Sequence, residues 1–487
     1  MHAPELAPCG KMASALLRGP SRLHERSNPR EPEELPTVTT LAETFARFAY
    51  ELDYASLPEE ARHEAKRRLI DSLGCAMGAY LAEPSRIARR IAHSVRGGAT
   101  VIGSFHQTSP DLAAFANGVL IRYLDYNDTY LSKEPAHPSD NIAALLAVGE
   151  LVDCSGQDLI AAIVASYEVQ CRLCDAFSIR SKGWDHVNYG SFSTVAGCGM
   201  LLGFEPEQYV HAFGLAGVPN NAMRQTRVGE LSMWKGCAFA NASRNGVFAS
   251  LLASEGMTGP APVFEGEMGF FAQVSHEPFD VAPLGGDGYM INRTYIKKYP
   301  AEYHSQSAID AALELRPHIE DPSQIESILI ETFDAAVEII GGEPEKWRPQ
   351  SRETADHSLP YCTVVALVDG EVTQDSFAPA RFTDDRLLQI VAKVQVKADP
   401  ALNAMYPEKG IPNRVTVTLK NGERHVSEVA APRGHALNPM TDQEVTAKFL
   451  SMATKVLGPA EVDEALERLW SLEDEQDLTD LLALFAV

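Results

Sequence analysis

The sequence contains no apolar run long enough to cross a lipid bilayer, which takes about 20 consecutive apolar residues in a helix. The most apolar stretches of the 487-residue chain, around Leu145 and Leu251, are interrupted by glycine, serine or charged residues well short of that length. We therefore expect no transmembrane segment and no membrane partner. With 45% hydrophobic residues, the chain is long enough for two globular domains, each with its own core.

Basic residues are also scarce, because 42 lysines and arginines compare with 66 acidic residues and the net charge is -24. A surface of this charge repels DNA, RNA and anionic lipids, so we expect no nucleic-acid partner. The same surface repels small anions. A site for an anionic substrate therefore has to be locally basic and should stand out from the rest of the protein.

The eight cysteines lack the spacing of a disulfide framework, which indicates buried thiols in a reducing compartment. Cys171 and Cys174 form a lone CxxC in a helical pattern. Three-residue spacing places both on one helix face, so core packing explains them without an iron–sulfur cluster. Glycine-rich strings such as GGDG lack the strand–turn–helix setting of a phosphate loop. We expect no nucleotide cofactor, and the lone CxxC is weak evidence for an iron–sulfur cluster.

The first 37 residues contain six prolines and few apolar residues, which predicts a flexible N-terminal tail over 1–37. Arginines and serines in 12–30 are typical of a mitochondrial presequence, but Glu25 and the acidic residues of 31–34 argue against one. No secretory signal is visible. We expect a cytoplasmic protein, with the mitochondrial matrix as the alternative if the source is eukaryotic.

Helical periodicity dominates residues 38–290. Ser56, with Glu59 three positions on, is expected to form a capping box at the start of one helix. The apolar face of that helix recurs at helical spacing, at Ala61, Ala65, Leu69, Leu73, Met77 and Tyr80. Similar patterns at 139–153, 157–176 and 237–256 are rich in small residues, which predicts closely packed helices. The sequence therefore predicts a large all-helical domain.

The pattern changes near residue 290. Isoleucines in 325–330 favour a strand, and the alternating apolar residues of 415–419 lead into Asn421-Gly422, which predicts a hairpin with a type I′ turn. Thr441 and Glu444 form a capping box at the start of a later helix. The fold class expected is mainly α with a second α+β domain: a helical domain at 38–290, an α+β lid at 291–431, and C-terminal helices at 432–487 that return to the helical domain.

One stretch concentrates groups that carry out proton transfer or bind anions. Within sixteen positions it contains Asp125, Asp128, Thr129, Lys133, His137 and Asp140. His137 directly precedes a helix start, where exposed N–H groups attract carboxylates. A loop that only caps helices explains the same pattern. A magnesium or calcium site is a third reading, although such sites have little need of histidine and lysine.

Lys235 precedes a helix of small residues, where a cation is unfavourable unless it shares an anion with the helix end. The alternative is a surface lysine whose stem covers Trp234. Arg224 and Arg227 are candidates for bidentate carboxylate contacts, or plain surface charges.

Three further candidates flank a proline turn at the boundary between the two predicted domains: Lys297, Lys298 and His304. From there they are able to close over a cleft, although an exposed basic turn is the other reading. His186 precedes a further helix start, where a surface loop is an equal alternative.

Four strings in these regions resemble signature regions of the MmgE/PrpD family: LDYNDTYLSKEPAHPSDN, MWKGCAFANASRNGVFASLLASEGMTGP, KKYPAEYHSQSAIDAAL and ADHSLPYCTVVALVDG. The resemblance extends from residue 41 to the late 450s. It implies a helical domain with an α+β lid, a homodimer, a small-molecule tricarboxylate substrate, and catalysis without metal. The family includes 2-methylcitrate dehydratases and cis-aconitate decarboxylase.

The resemblance to the decarboxylase branch implies active-site roles for Asp125, Thr129, His137 and Lys235, and more loosely for His186. The longer loop before His137 and the position of His304 resemble the dehydratase branch instead. The expected function is therefore a carbon–oxygen lyase that dehydrates 2-methylcitrate to 2-methyl-cis-aconitate. A cis-aconitate decarboxylase that forms itaconate is the alternative, and a non-enzymatic helical binding protein is a distant third.

A dehydration of this kind needs a base, an acid, and cations that hold carboxylates. We expect His137 to be the leading acid–base residue, with His304 or His186 as its counterpart. Lys235, with Arg224 or Lys298, is expected to bind carboxylates. Asp125 would orient His137 or Lys235, and Thr129 would offer its hydroxyl to the substrate.

Overall fold

The structure, a computed structural model, describes residues 40–286 and 288–487. The predicted tail at 1–37 lies outside the described residues. Within the described part of the chain, no helix is both long and apolar enough to span a bilayer.

The first part of the chain is helical. Its α-helices are α1 (Leu41–Glu51), α2 (Glu59–Gly78), α3 (Glu83–Ala92), α4 (Pro110–Arg122), α5 (Ile142–Leu151), α6 (Gly156–Ala176), α7 (Asn188–Leu201), α8 (Pro206–Gly217) and α9 (Ala238–Ser254). A two-stranded ribbon of β1 (Ala99–Thr100) and β2 (Gln107–Thr108) lies between α3 and α4.

Small residues allow these helices to pack closely, as the sequence predicts. A Cβ atom at Gly118 of α4 would lie 2.9 Å from the Cβ of Ala240 in α9, and one at Gly190 of α7 would lie 2.5 Å from the ring of Phe239. These helices are therefore packed so closely that a side chain larger than that of glycine would not fit at either position.

The predicted capping box at Ser56 is wrong. The hydroxyl of Ser56 donates to the carbonyl of Asp53 at 2.8 Å, in a turn before the helix. Pro58 occupies the N-cap position of α2 without a side-chain cap. The hydroxyl of Ser56 therefore stabilises a local turn instead of capping the helix.

The second part is an α+β domain. Its sheet has the strand order β4-β3-β5-β6, from β3 (Ile325–Thr332), β4 (Val394–Ala398), β5 (Asn413–Leu419) and β6 (Arg424–Val429). β3 pairs in parallel with β4 and antiparallel with β5. The helices are α10 (Gln306–Leu315), α11 (Asp334–Ala336), α12 (Arg352–Ala355), α13 (Leu359–Asp369), α14 (Pro379–Phe382), α15 (Asp385–Val391) and α16 (Pro400–Asn403).

The hairpin of β5 and β6 is confirmed, but its predicted turn type is wrong. A type I′ turn needs positive φ at both central residues. Here Gly422 has φ of 89°, whereas Asn421 does not have a positive φ. The N–H of Leu419 donates to the carbonyl of Glu423 at 2.8 Å, which leaves a three-residue loop over 420–422 instead of a two-residue turn.

The chain ends in α17 (Asp442–Ala453), α18 (Pro459–Trp470) and α19 (Thr479–Ala483). The capping box of Thr441 and Glu444 at the start of α17 is confirmed. A Cβ at Gly74 of α2 would lie 3.1 Å from the Cα of Phe449, so α17 packs directly on α2. The last helices therefore share the core of the helical part, and the predicted fold class, a helical domain with a smaller α+β domain, is confirmed.

The C-terminal segment also packs tightly against the start of α6, which generates a stability prediction. A Cβ at Gly156 would lie 1.7 Å from the carbonyl oxygen of Leu472, a backbone atom. We expect Gly156→Ala to destabilise the protein by ~1–3 kcal/mol, because the segment must move to relieve the overlap. The measurement is denaturant-induced unfolding followed by circular dichroism.

Gly98→Ala is the matched control, because its added Cβ meets only the Cδ1 atom of Leu151, at an ordinary 3.6 Å. Its effect should stay within about 0.5 kcal/mol. Equal unfolding midpoints for both variants would contradict the tight contact.

Candidate active site

The polar stretch after α4 lies where the two domains meet. Thr129 and Tyr295 exchange backbone hydrogen bonds of 2.9 and 2.8 Å, which pairs this stretch with the first connection to the α+β domain. Asp125 has φ of 52°, in the left-handed region that few residues other than glycine adopt. Its side chain is only 1% exposed. A carboxylate this deeply buried needs cations or hydrogen-bond donors beside it.

Three cationic side chains surround the Asp125 carboxylate. Arg122, at the end of α4, contacts Oδ1 through its Nη1. Lys297 Nζ lies 3.0 Å from Oδ1, and Lys235 Nζ lies 3.4 Å from Oδ2. Burial alone would raise the pKa of Asp125, but the three cations outweigh it and hold this pKa well below its usual range. Asp125 is therefore ionised.

Lys235 is buried, with 3% of its surface exposed, whereas the neighbouring Trp234 is 46% exposed. The reading of Lys235 as a surface lysine is therefore wrong. It lies in the 3₁₀ turn Met233–Gly236, just before α9. Burial lowers the pKa of Lys235 to about 8, because the loss of hydration outweighs its attraction to Asp125 and Asp356. A lysine of this kind can exchange a proton near neutral pH.

His137 is held by two hydrogen bonds that define its protonation. Its Nδ1 lies 2.8 Å from the carbonyl oxygen of Asp128 and must donate to it. Its Nε2 accepts from Arg122 Nη2 at 2.9 Å. Burial, with the charge of Arg122, holds the pKa of His137 well below its usual value. His137 is therefore a neutral imidazole with its basic nitrogen toward the cluster.

The stretch contains both a residue that caps a helical turn and a residue that belongs to the charged cluster. Asp128 caps the 3₁₀ turn Pro138–Asn141 by accepting from the N–H of Ser139 at 2.9 Å. Asp125, in contrast, belongs to the charged cluster. Asp140 lies between the two groups, 3.7 Å from Arg122, and burial raises its pKa to about 7.

His186 lies beside His137, with 6.0 Å between the ring centroids. Its Nδ1 is 3.0 Å from Asp185, and its buried Nε2 has no hydrogen-bond partner among the described residues. Arg227 joins this loop to Lys235, donating to the Asp185 carboxylate and to the Lys235 carbonyl, each at 3.0 Å. The structure therefore brings His137, His186 and Lys235 together.

The α+β domain contributes a pair that the sequence reasoning missed. His357 Nδ1 lies 2.6 Å from Asp356 and 3.4 Å from Lys235, and its Nε2 is 3.8 Å from Asp125. The pair lies between α12 and α13, ahead of Ser358, which caps α13. A histidine just before a helix start was the available signal, because His137 and His186 were found in that way.

Lys297, rather than Lys298, is the lysine of the basic turn that reaches the cluster. The side chain of Lys298 is 40% exposed and lies 3.5 Å from Asp310, beside a surface groove of about 450 Å³. Consecutive side chains of an extended segment point to opposite sides, so only one of the two lysines can face Asp125. The structure does not bring Lys298 into contact with Asp125, and its role in binding substrate stays a prediction.

The remaining predicted residues lie outside the contacts of Asp125. The hydroxyl of Thr129 donates to the carbonyl of Ala136 at 3.0 Å, so it serves the turn before His137. Arg224 is half-buried in the 3₁₀ turn Arg224–Arg227, and the backbone N–H of Arg224 donates to Gly183.

His304 lies in the α+β domain, close to the cluster. Its Nδ1 is 2.7 Å from Glu302 and its Nε2 is 3.1 Å from the Tyr406 hydroxyl. Burial would raise the pKa of Glu302, but His304, His357 and Lys297 together lower it to about 2. The charges of the cluster therefore extend to the carboxylate that orients His304.

One set of residues in the cluster has the composition of a metal site. Asp125, Asp356 and His357 each offer a ligand atom within 4.8 Å of one another. However, the Lys235 ammonium already lies 3.4 Å from Asp125 and 3.8 Å from Asp356. A divalent ion there would be repelled by Lys235, Lys297 and the nearby Arg122. Metal independence stays a prediction.

The class of the protein is defined by its helical domain and its α+β domain, which meet at a buried cluster of histidines, lysines and carboxylates. Residues 43–282 match the MmgE/PrpD N-terminal domain, and residues 299–472 match the MmgE/PrpD C-terminal domain. The chain therefore belongs to the MmgE/PrpD family, which confirms the resemblance found in the sequence.

Several relatives have names that describe an activity. The 2-methylcitrate dehydratase of Escherichia coli strain K12 is 29% identical over 414 residues, 80% of this chain and 84% of the relative. That of Cupriavidus necator is 30% identical, covering 74% and 78% of the two chains. The human cis-aconitate decarboxylase is 26% identical over 477 residues, 92% of this chain and 95% of the relative. These relatives are lyases.

The cluster generates a prediction of stability against pH. We expect Asp125→Asn to destabilise the protein by ~3–5 kcal/mol at pH 7, because three buried cations lose their counter-ion. The deficit should shrink between pH 7 and pH 9. The pKa of Lys235 is about 8 in the folded protein, which is lower than in the unfolded chain, so a rise in pH favours folding. Above pH 8 Lys235 is mostly neutral, so the loss of its counter-ion Asp125 costs less. Unfolding in denaturant at both pH values measures this.

Asp369→Asn is the control, because its carboxylate pairs with Arg381 at the surface, where ion pairs are worth about 1 kcal/mol or less. Its effect should be small at both pH values. A deficit of Asp125→Asn that stays constant from pH 7 to pH 9 would contradict the coupling to Lys235.

Proposed function

We propose that the protein is a hydro-lyase that removes water from 2-methylcitrate to form 2-methyl-cis-aconitate. The observation that supports this most directly is the neutral His137 beside the buried cations around Asp125. Dehydration of a β-hydroxy acid takes a proton from the carbon next to a carboxylate and releases hydroxide with a second proton. It needs a base, an acid and fixed positive charge.

His137 is suited to be the base, since an imidazole that is neutral at pH 7 accepts a proton through Nε2. In the structure this nitrogen accepts from Arg122. A substrate carboxylate that pairs with the Arg122 guanidinium would take that hydrogen bond and leave Nε2 free to accept the carbon-bound proton. Substrate binding and activation of the base are then one event.

His186 and His304 are the candidate acids for the departing hydroxide. His186 is favoured by its place beside His137 and by its unpartnered Nε2. Burial lowers the pKa of His186. A bound tricarboxylate would raise that pKa again, because added negative charge favours the imidazolium that donates the proton.

The charge of the cluster suits a substrate with several carboxylates. Arg122, Lys235 and Lys297 place three positive charges around the Asp125 carboxylate, in a chain whose net charge is -24. The same cations would stabilise the enolate-like charge that develops on a substrate carboxylate when the carbon-bound proton leaves.

A cis-aconitate decarboxylase is the second candidate. It is favoured by the relatives of that name, which align over 92% of this chain, compared with 80% for the dehydratase of Escherichia coli. Loss of carbon dioxide leaves a carbanion that must gain a proton, and the same cations and histidines would serve that step.

The proposal includes a homodimer that works without metal or cofactor and does not bind nucleic acid or membranes. It places the reaction in propionate catabolism, in the cytoplasm. The mitochondrial matrix is the alternative for a eukaryotic source, because the relative from Yarrowia lipolytica is named as mitochondrial.

A substrate panel tests the proposal. Purified protein is given 2-methylcitrate, citrate or cis-aconitate, and ultraviolet absorbance of the new double bond and release of carbon dioxide are followed. We expect absorbance to rise with 2-methylcitrate, without carbon dioxide, and at the same rate after prolonged chelation. The reason is that the lysines supply the charge that a metal would otherwise supply.

Carbon dioxide from cis-aconitate, with no reaction of 2-methylcitrate, would replace the proposal with the decarboxylase. Inertness toward all three acids would contradict both lyases. Activity that disappears on chelation and returns with iron or magnesium would contradict metal independence alone.

Variants of the acid–base groups test the roles. We expect His137→Ala and Lys235→Ala to fold and to lose ~10²–10⁴-fold in kcat, because each group acts on the transition state. His211→Ala and Lys182→Ala are matched controls, since both residues are half-buried in the helical part and pair with Glu207 and Glu277 rather than with Asp125. Rates of all four variants within about threefold of the parent would leave the cluster a structural feature.

A further inference from the structure

A lysine far along the chain contacts the backbone on which the cluster is built. Lys448, on α17, is 5% exposed. Its Nζ lies 2.6 Å from the Asp71 carboxylate, 2.6 Å from the carbonyl oxygen of Tyr126 and 2.7 Å from that of Lys297. An ammonium group has three N–H donors, so each of them has one partner.

The two carbonyls belong to the segments that must come together for Asp125 to be neutralised. Tyr126 follows Asp125 directly, and Lys297 donates to both the carbonyl and the carboxylate of Asp125. Lys448 thus binds the backbone next to Asp125 and the backbone of Lys297, which pairs with Asp125. The tight contact of Gly74 with Phe449 sets the distance between α2 and α17 that this geometry needs.

The buried ion pair of Asp71 with Lys448 is poorly explained by stability alone. Burial raises the pKa of Asp71, which means that its charge is costly there. Replacing such a pair by apolar residues is often neutral or stabilising, so the pair is better explained by the backbone that Lys448 orients than by stability. The ring of Tyr126, 3.8 Å from Nζ, further restricts the ammonium to this position.

We propose that Lys448 is a positioning residue for the reaction, fixing Asp125 and Lys297 relative to each other, with Asp71 as its counter-ion. The proposal rests on the proposed lyase function for its kinetic readout. Lys448 contacts neither His137 nor Lys235, so it acts through the backbone. A displacement of about 1 Å in a catalytic group can cost ~100-fold in rate.

The experiment compares Lys448→Met with two other variants. Asp71→Asn removes the counter-ion but leaves Lys448 able to donate to both carbonyls. Lys66→Met is the matched control, since Lys66 also joins α2 to the C-terminal helices, donating to the Trp470 carbonyl at 2.9 Å and to Glu473 at 2.8 Å. Steady-state kinetics and thermal unfolding are measured for each, at a temperature where circular dichroism shows it to be folded.

We expect Lys448→Met to lower kcat by ~100-fold with KM within about threefold, because substrate contacts remain while the cluster shifts. Asp71→Asn should lower the unfolding temperature and lower kcat by less than Lys448→Met does, because Lys448 still donates to both carbonyls. Lys66→Met should lower the unfolding temperature yet keep kcat within about threefold. A purely structural role predicts that kcat follows stability in all three. Equal kcat losses in Asp71→Asn and Lys448→Met, or an unchanged kcat in Lys448→Met, would overturn the proposal.

A replacement variant and a second measurement cover the cases in which Lys448→Met does not fold or the parent protein shows no activity. If Lys448→Met does not fold, Lys448→Arg replaces it, and the same fall in kcat is expected because a planar guanidinium cannot place its donors as Nζ does. If no acid is turned over by the parent protein, the proposed function fails separately. Hydrogen exchange then decides: faster exchange at the amides of Asp125, Thr129 and Tyr295 in Lys448→Met, but not in Lys66→Met, supports positioning, and unchanged exchange overturns it.

Discussion

A carboxylate removed from water has to be neutralised by cations at contact distance, and much of this structure follows from that requirement at Asp125. The three cations come from the end of α4, from the turn before α9 and from the connection into the α+β domain. No one of these segments can be displaced without leaving buried charge unpaired, which costs several kcal/mol. The need to neutralise Asp125 therefore fixes the relative position of the two domains around its two carboxylate oxygens.

Sequence patterns predicted the features that depend on neighbouring residues. The helical and α+β domains follow from periodicity, and the hairpin and the cap of α17 follow from short local signals. His137 and Lys235 were found because each lies at a helix start. In both cases the information lies within a few residues of the chain.

The features that escaped prediction depend on tertiary contacts. Arg122 is unremarkable in sequence, and only its position shows that it contacts both Asp125 and His137. The choice between Lys297 and Lys298 depends on which side of the segment faces α4. Ser56 was assigned to the wrong structure because a turn and a helix cap use the same hydroxyl.

The contact of Lys448 with the carbonyl of Tyr126 joins residues 322 positions apart. During synthesis the N-terminal helices leave the ribosome long before α17 exists, so the loop that carries Asp125 must wait for the end of the chain. Such distant pairing is slow, because the entropy of closing the chain is lost before the contact is gained. A chain that ends before α17 would lack Lys448, and the carbonyls of Tyr126 and Lys297 would lose the ammonium that donates to both of them.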